Sequence, residues 1–169
     1  AALPHHHPGS RQLEIGDTLI VDMGAQVAGY KSDMTRSFFL GAEPTEQFWT
    51  IYNLVLAAEM AVLDHIRPGM NCQEIDAIAR TIISDGGHGP HFGHGLGHSL
   101  GLDIHERPFF THLPYGKDYT ISSGMTVTVE PGIYIPGWGG VRIEDLVLIT
   151  ESGVEPISKC PKTPVISEW

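Results

Sequence analysis

Four acidic residues stand in stretches otherwise built for burial. Asp22 follows Leu-Ile-Val, Asp33 falls within the apolar-rich residues 28–40, Glu130 ends Val-Thr-Val, and Glu144 interrupts Val-Arg-Ile-Glu-Asp-Leu-Val-Leu. An unpaired carboxylate in an apolar strand is costly to desolvate. One such residue is easily accommodated on an edge strand facing water, but four in two hairpins call for a common partner. Arg36 and Arg142 could pair with two of them. A pair of divalent cations would satisfy all four.

The flanking pattern says where these carboxylates sit. Residues 18–23 and 28–40 read as two strands joined by a short loop at 24–27. Residues 45–66 carry Phe48, Ile51, Tyr52, Val55, Ala58, Val62 and Ile66 at helical spacing, and Pro68-Gly69 ends that helix. Asn71 with Glu74 three residues on predicts a capped start to a second helix, whose apolar stripe is Ile75, Ile78, Ala79 and Ile82. Gly86-Gly87 stops it. Residues 125–135 and 141–149 predict two more strands around a turn at 136–140. Strand–strand, helix–helix, strand–strand is the order of an α+β fold with an antiparallel sheet. With no repeat or low-complexity break, residues 1–169 read as one domain.

Histidine supplies the missing ligand type. Of 10 in the chain, six (His88, His91, His94, His98, His105 and His112) fall between residues 88 and 112. Gly93, Gly95, Gly97 and Gly101 interleave with them and let the backbone approach a crowded site. Imidazole with carboxylates and no thiolate favours Mn, Co, Fe or Zn over a structural zinc cage. Four carboxylates are too many for a single catalytic zinc, so two metals are the natural count, suited to amide hydrolysis by a metal-bridging hydroxide.

The formal charge of −10 disfavours nucleic acid as a partner. No apolar run approaches the ~20 residues that cross a bilayer, and the first residues do not read as a signal peptide. Cys72 and Cys160 are far apart and form no disulfide framework, so the expected setting is cytoplasmic.

The segments Asp22-Met-Gly-Ala-Gln-Val-Ala-Gly-Tyr-Lys-Ser-Asp33-Met-Thr-Arg, His94-Gly-Leu-Gly-His98-Ser-Leu-Gly-Leu-Asp-Ile-His105-Glu-Arg-Pro, Val-Glu130-Pro-Gly-Ile-Tyr and Gly-Gly-Val-Arg142-Ile-Glu144-Asp together resemble the pita-bread metallopeptidases, in the Xaa-Pro dipeptidase (prolidase) and aminopeptidase P branch. The resemblance implies a curved antiparallel sheet covered by helices. It also implies that the opening helices of the catalytic domain and a separate N-terminal domain lie outside this chain. It implies that Asp33 and Glu144 bridge two metals, Mn foremost, with Asp22 on one and His98 and Glu130 on the other. Glu130 would also handle the proton of the attacking water, and His94 and His105 would contact the substrate carbonyl. His5 falls at a substrate-contacting position, and Thr35 and Arg142 fall where ligands are oriented from behind. The implied substrate is a small peptide, Xaa-Pro or the N-terminal Xaa-Pro of a longer chain, and the implied assembly a homodimer. Phe109 stands where some prolidases carry a basic residue after the His-Glu-x-Pro segment.

Two other functions compete. One is an aminopeptidase of different specificity on the same site. The other is a non-catalytic module using the cleft to bind a peptide, which has no chemical reason to retain five ligands.

Overall fold

The computed structural model describes residues 1–166. Its first hairpin pairs β1 (Thr18–Met23) with β4 (Met34–Leu40), Asp22 lying opposite Thr35. The intervening chain is not a simple loop. Residues 24–27 and 28–33 form a second small hairpin, β2 (Gln26–Val27) with β3 (Tyr30–Lys31), turned by Ala28 (φ 51°) and Gly29 (φ 91°). Two successive positive-φ residues match the twist of a tight hairpin. The predicted strand over 28–40 is therefore broken at Ser32-Asp33, and Asp33 lies in the break rather than inside a strand.

Helix α1 (Glu46–His65) begins where Thr45 accepts a hydrogen bond from the Phe48 amide, and it buries Phe48, Ile51, Tyr52, Val55, Ala58 and Val62 as expected. Helix α2 (Cys72–Asp85) starts with the capping box of Asn71 and Glu74. Its inner face differs slightly from the predicted stripe. Ile75, Ala79 and Ile83 are buried, whereas Ile78 and Ile82 are only half-buried. Cys72, Asp76 and Ile83 complete a 3–4 spacing, which sets the face one position away from the one the isoleucines suggest.

The second half is a five-stranded antiparallel sheet and a separate hairpin. β5 (Gly97–Ser99) pairs with β6 (Glu106–Phe110) on one side and β7 (Thr126–Val129) on the other. β8 (Gly132–Ile135) and β9 (Gly139–Arg142) form the hairpin. β10 (Asp145–Ile149) returns to β7 and is flanked by β11 (Val154–Pro156), while β12 (Val165–Ile166) runs parallel to β4. The predicted strands 125–135 and 141–149 are thus each two strands, broken at Glu130-Pro131 and Ile143-Glu144. Pro131 has no amide hydrogen to give a ladder. The backbone crosses there, with Ile143 N–H donating to the Pro131 carbonyl at 3.4 Å and Glu144 N–H to that of Thr35 at 3.1 Å. An antiparallel bridge between Thr35 and Glu144 ties the first hairpin to this break. Both helices pack onto the sheets through one continuous apolar cluster that includes Phe39, Val55, Ile75, Leu96, Val127, Ile133 and Val147.

At Gly97 the strands approach so closely that a Cβ would collide with the Thr128 carbonyl oxygen. Gly97→Ala should therefore cost about 1–3 kcal/mol of stability, read as a lower denaturant midpoint with an unchanged slope. A variant as stable as the parent would show that β5 and β7 are farther apart than described.

Candidate metal centre

Three of the four carboxylates occupy the breaks between strands, and the fourth lies within β1. Asp33 precedes β4, Glu130 follows β7, Glu144 lies between β9 and β10, and Asp22 is the fifth residue of β1. Outside a ladder, a residue's backbone is free to turn its side chain inward, so Asp33, Glu130 and Glu144 can converge with β5. Ligand atoms of Asp33, His98 and Glu144 lie within 4.8 Å of one another. His98 Nε2 is 3.8 Å from Asp33 Oδ2 and 3.4 Å from Glu130 Oε1. Asp22 is the exception to the expected burial, its side chain being 46% exposed.

The imidazole is set up to bind through Nε2. His98 Nδ1 lies 3.0 Å from the Ser99 carbonyl oxygen, which can only accept, so Nδ1 carries the proton and Nε2 turns its lone pair to the acids. Burial also lowers the His98 pKa, which keeps the ring neutral.

Asp33, Glu130 and Glu144 are crowded and largely buried. Burial, followed by the charge of Asp22, pushes Asp33 up to about 6. Burial pushes Glu130 up to about 8, against the opposing pull of Arg142 and the Thr128 hydrogen bond. Glu144 is raised well above the carboxylate range by burial and by Glu130 and Asp33. Such a set is short of positive charge, and its oxygen-rich donors with one neutral imidazole fit divalent first-row cations.

Arg142 and Thr35 hold the set from behind. Thr35 Oγ1 donates to Glu144 Oε2 at 2.6 Å and accepts from Arg142 Nε at 3.1 Å. Arg142 also donates to Asp22 Oδ2 at 2.7 Å, to the Tyr134 hydroxyl at 2.9 Å and to the Pro4 carbonyl at 3.1 Å. The second cation behaves otherwise: Arg36 pairs with Asp145 at 2.7 Å rather than with any of the four acids. Their adjacency in sequence hid this, because Glu144 and Asp145 point to opposite sides of the chain.

His105 is exposed at the rim, with its ring 4.5 Å from that of His98. His94 is more enclosed. Its Nδ1 donates to the Gly95 carbonyl at 2.7 Å, its Nε2 accepts from the Tyr134 hydroxyl at 2.8 Å, and burial lowers its pKa to about 4. His5 lines a wide cavity of about 880 Å³ together with Asp22 and Arg142, close enough for its charge to act on His94.

Two residues escape a reading of the sequence alone. Thr128 Oγ1 donates to Glu130 Oε1 at 3.1 Å and accepts from the His98 amide at 3.0 Å, joining Glu130 to His98. Its position two residues before Glu130, on the same strand face, was the available signal. Tyr134, which links His94 to Arg142, lies beyond the Pro131 break, where period-2 reasoning no longer holds.

Comparison with known proteins gives the family. Residues 1–151 match metallopeptidase family M24. The Xaa-Pro dipeptidase of Pyrococcus furiosus is 44% identical over 159 residues, covering 94% of this chain and 44% of that protein. The structure of the Xaa-Pro dipeptidase from Bacillus anthracis superposes with a TM-score of 0.92 at 43% identity, covering 98% of this chain and 46% of that one. The X-Pro aminopeptidase from Thermotoga maritima superposes with a TM-score of 0.92 at 35% identity, covering 98% and 46%. The chain thus spans less than half the length of these relatives. With this match over most of its length, the chain belongs to metallopeptidase family M24.

Proposed function

We propose that the protein carrying this chain hydrolyses the peptide bond preceding proline, in Xaa-Pro dipeptides or at the start of longer peptides. The convergence of Asp33, His98 and Glu144, flanked by Asp22 and Glu130, carries this reading. These five side chains would hold two divalent ions, with Mn the first choice and Co, Zn or Fe alternatives. Bound there, the ions would supply a water of lowered pKa and polarise the scissile carbonyl.

The chain's own groups do the rest. Glu130, oriented by Thr128, takes the proton of the attacking water and returns it to the leaving amine. Thr35 and Arg142 keep Glu144 and Asp22 aimed at the cleft. His105 meets the substrate oxygen from the rim, and His94 acts beside it with its orientation fixed by Gly95 and Tyr134. His5 borders the cavity that would take the rest of the peptide. The same reading includes a cytoplasmic homodimer. The free thiols of Cys72 and Cys160 fit a reducing compartment.

One observation favours preference for longer peptides. Arg107, the basic residue nearest to Phe109 in sequence, donates through Nη1 to the Tyr119 hydroxyl at 2.7 Å, a bond that competes with any grip on a dipeptide's carboxylate. Activity on Xaa-Pro-Xaa peptides exceeding that on Xaa-Pro would bear out this preference.

Elemental analysis of the intact protein should find about two divalent ions per chain, and markedly fewer in Asp33→Ala; equal content in both would remove Asp33 from the site. His98→Ala should lose more metal than His105→Ala. Glu130→Gln should retain the fold while turnover falls on the order of 10²–10⁴-fold, and near-parental turnover would refute its role as the base.

The raised carboxyl pKa values give the metal-free protein a definite pH dependence. Folded Asp33 and Glu130 bind protons more tightly than their ordinary values of 3.8 and 4.5 allow. That contribution to stability is complete below about pH 4 and is lost as pH rises through about 6 and about 8. Metal-free protein should therefore melt lower at pH 8 than at pH 5, and added Mn should raise the midpoint more at pH 8. A metal-free midpoint that climbs over this interval would contradict the assignment.

A further inference from the structure

Behind the ligand cluster lies a second charged assembly, which the reaction proposed above does not use. Glu59, in the middle of α1, is fully buried. Lys162, from the segment leading to β12, places Nζ 3.0 Å from Glu59 Oε2 and 2.7 Å from Asp145 Oδ2. Asp145 Oδ1 accepts from Arg36 Nη2 at 2.7 Å. Arg36 Nη1 continues to the carbonyl oxygens of Thr35 at 2.9 Å and Glu144 at 2.7 Å, and Nη2 also reaches that of Cys160 at 2.8 Å. Two acids and two bases alternate, so their charges cancel in the interior. The path ends on both residues of the bridge that carries the Glu144 carboxylate.

A buried ion pair of this kind is seldom retained for stability, since apolar replacements of similar volume are often as stable. Neither Glu59 oxygen finds a hydrogen-bond donor with good direction among the described residues, and burial pushes this acid up to about 7. The shorter contact of Lys162 is with Asp145, on the path toward Glu144. We propose that Lys162 is a positioning residue for the metal centre, fixing Asp145 and Arg36 so that the main chain at Thr35 and Glu144 holds the Glu144 carboxylate in place. This rests on the metal centre proposed above. The alternative is that Lys162 does no more than neutralise Glu59.

Calorimetric titration of the intact metal-free protein with Mn separates the two. Lys162→Met should weaken Mn binding by about 10-fold or more, the range seen for groups that orient metal ligands. The double variant Lys162→Met/Glu59→Leu removes the buried charge that Lys162 would otherwise neutralise, yet Mn binding should stay as weak as in Lys162→Met. Lys162→Arg, which keeps a cation beside Asp145, should restore most of the affinity. Parental Mn affinity in Lys162→Met or in the double variant would overturn the proposal while leaving the metal centre intact. A parent protein that binds no Mn, Co, Zn or Fe would overturn the metal centre and the proposal together.

Discussion

Carboxylates gathered in one dry cleft oppose each other's ionisation, and the scaffold around this site is arranged to hold them there regardless. Asp33 and Glu130 show the cost directly, in acidities displaced to about 6 and about 8. The compensation comes from short, directional bonds rather than from nearby cations alone. Thr35, Thr128 and Arg142 each aim a donor at one of the acids. Those donors are in turn buried on strands whose positions are set by the helices. The apolar face of α1 and α2 against the sheets provides the stability that such a cleft consumes.

Geometry and charge are linked through the strand breaks. A regular strand alternates its side chains between two faces and cannot send residues from several strands to one point. At Ser32-Asp33, Glu130-Pro131 and Ile143-Glu144 the ladders stop, and three acids turn inward. The Thr35–Glu144 bridge then sets how far apart the two halves of the site lie. Arg36 reinforces that bridge from the opposite side.

Local chemistry made the helices readable in advance. Asn71 with Glu74, and Gly86, each carry a physical reason to start or stop a helix, and each does so here. The acids that converge were also readable, because an acid among Val, Ile and Leu is conspicuous. Strand continuity was not, since apolar character persists through Glu130-Pro131-Gly132 and gives no hint that the backbone changes sheets. The face of α2 was displaced for a similar reason, as four isoleucines compete for the inside and only packing against α1 chooses Ile83 over Ile82. The partner of Arg36 could not be read at all, since it depends on which of two adjacent acids faces which side.

The location of the acids at breaks has a consequence for how this fold changes over time. A side chain within a ladder is tied to its neighbours, so replacing it disturbs the sheet. Asp33, Glu130 and Glu144 lie where the backbone has already left the ladder, with Pro131 enforcing one of those departures. Exchanging them for neutral residues relieves repulsion and leaves the strand pairings standing. The acid cluster and the architecture are therefore separable in this chain: a few substitutions can remove the cluster and keep a well-folded cleft suited to recognition alone.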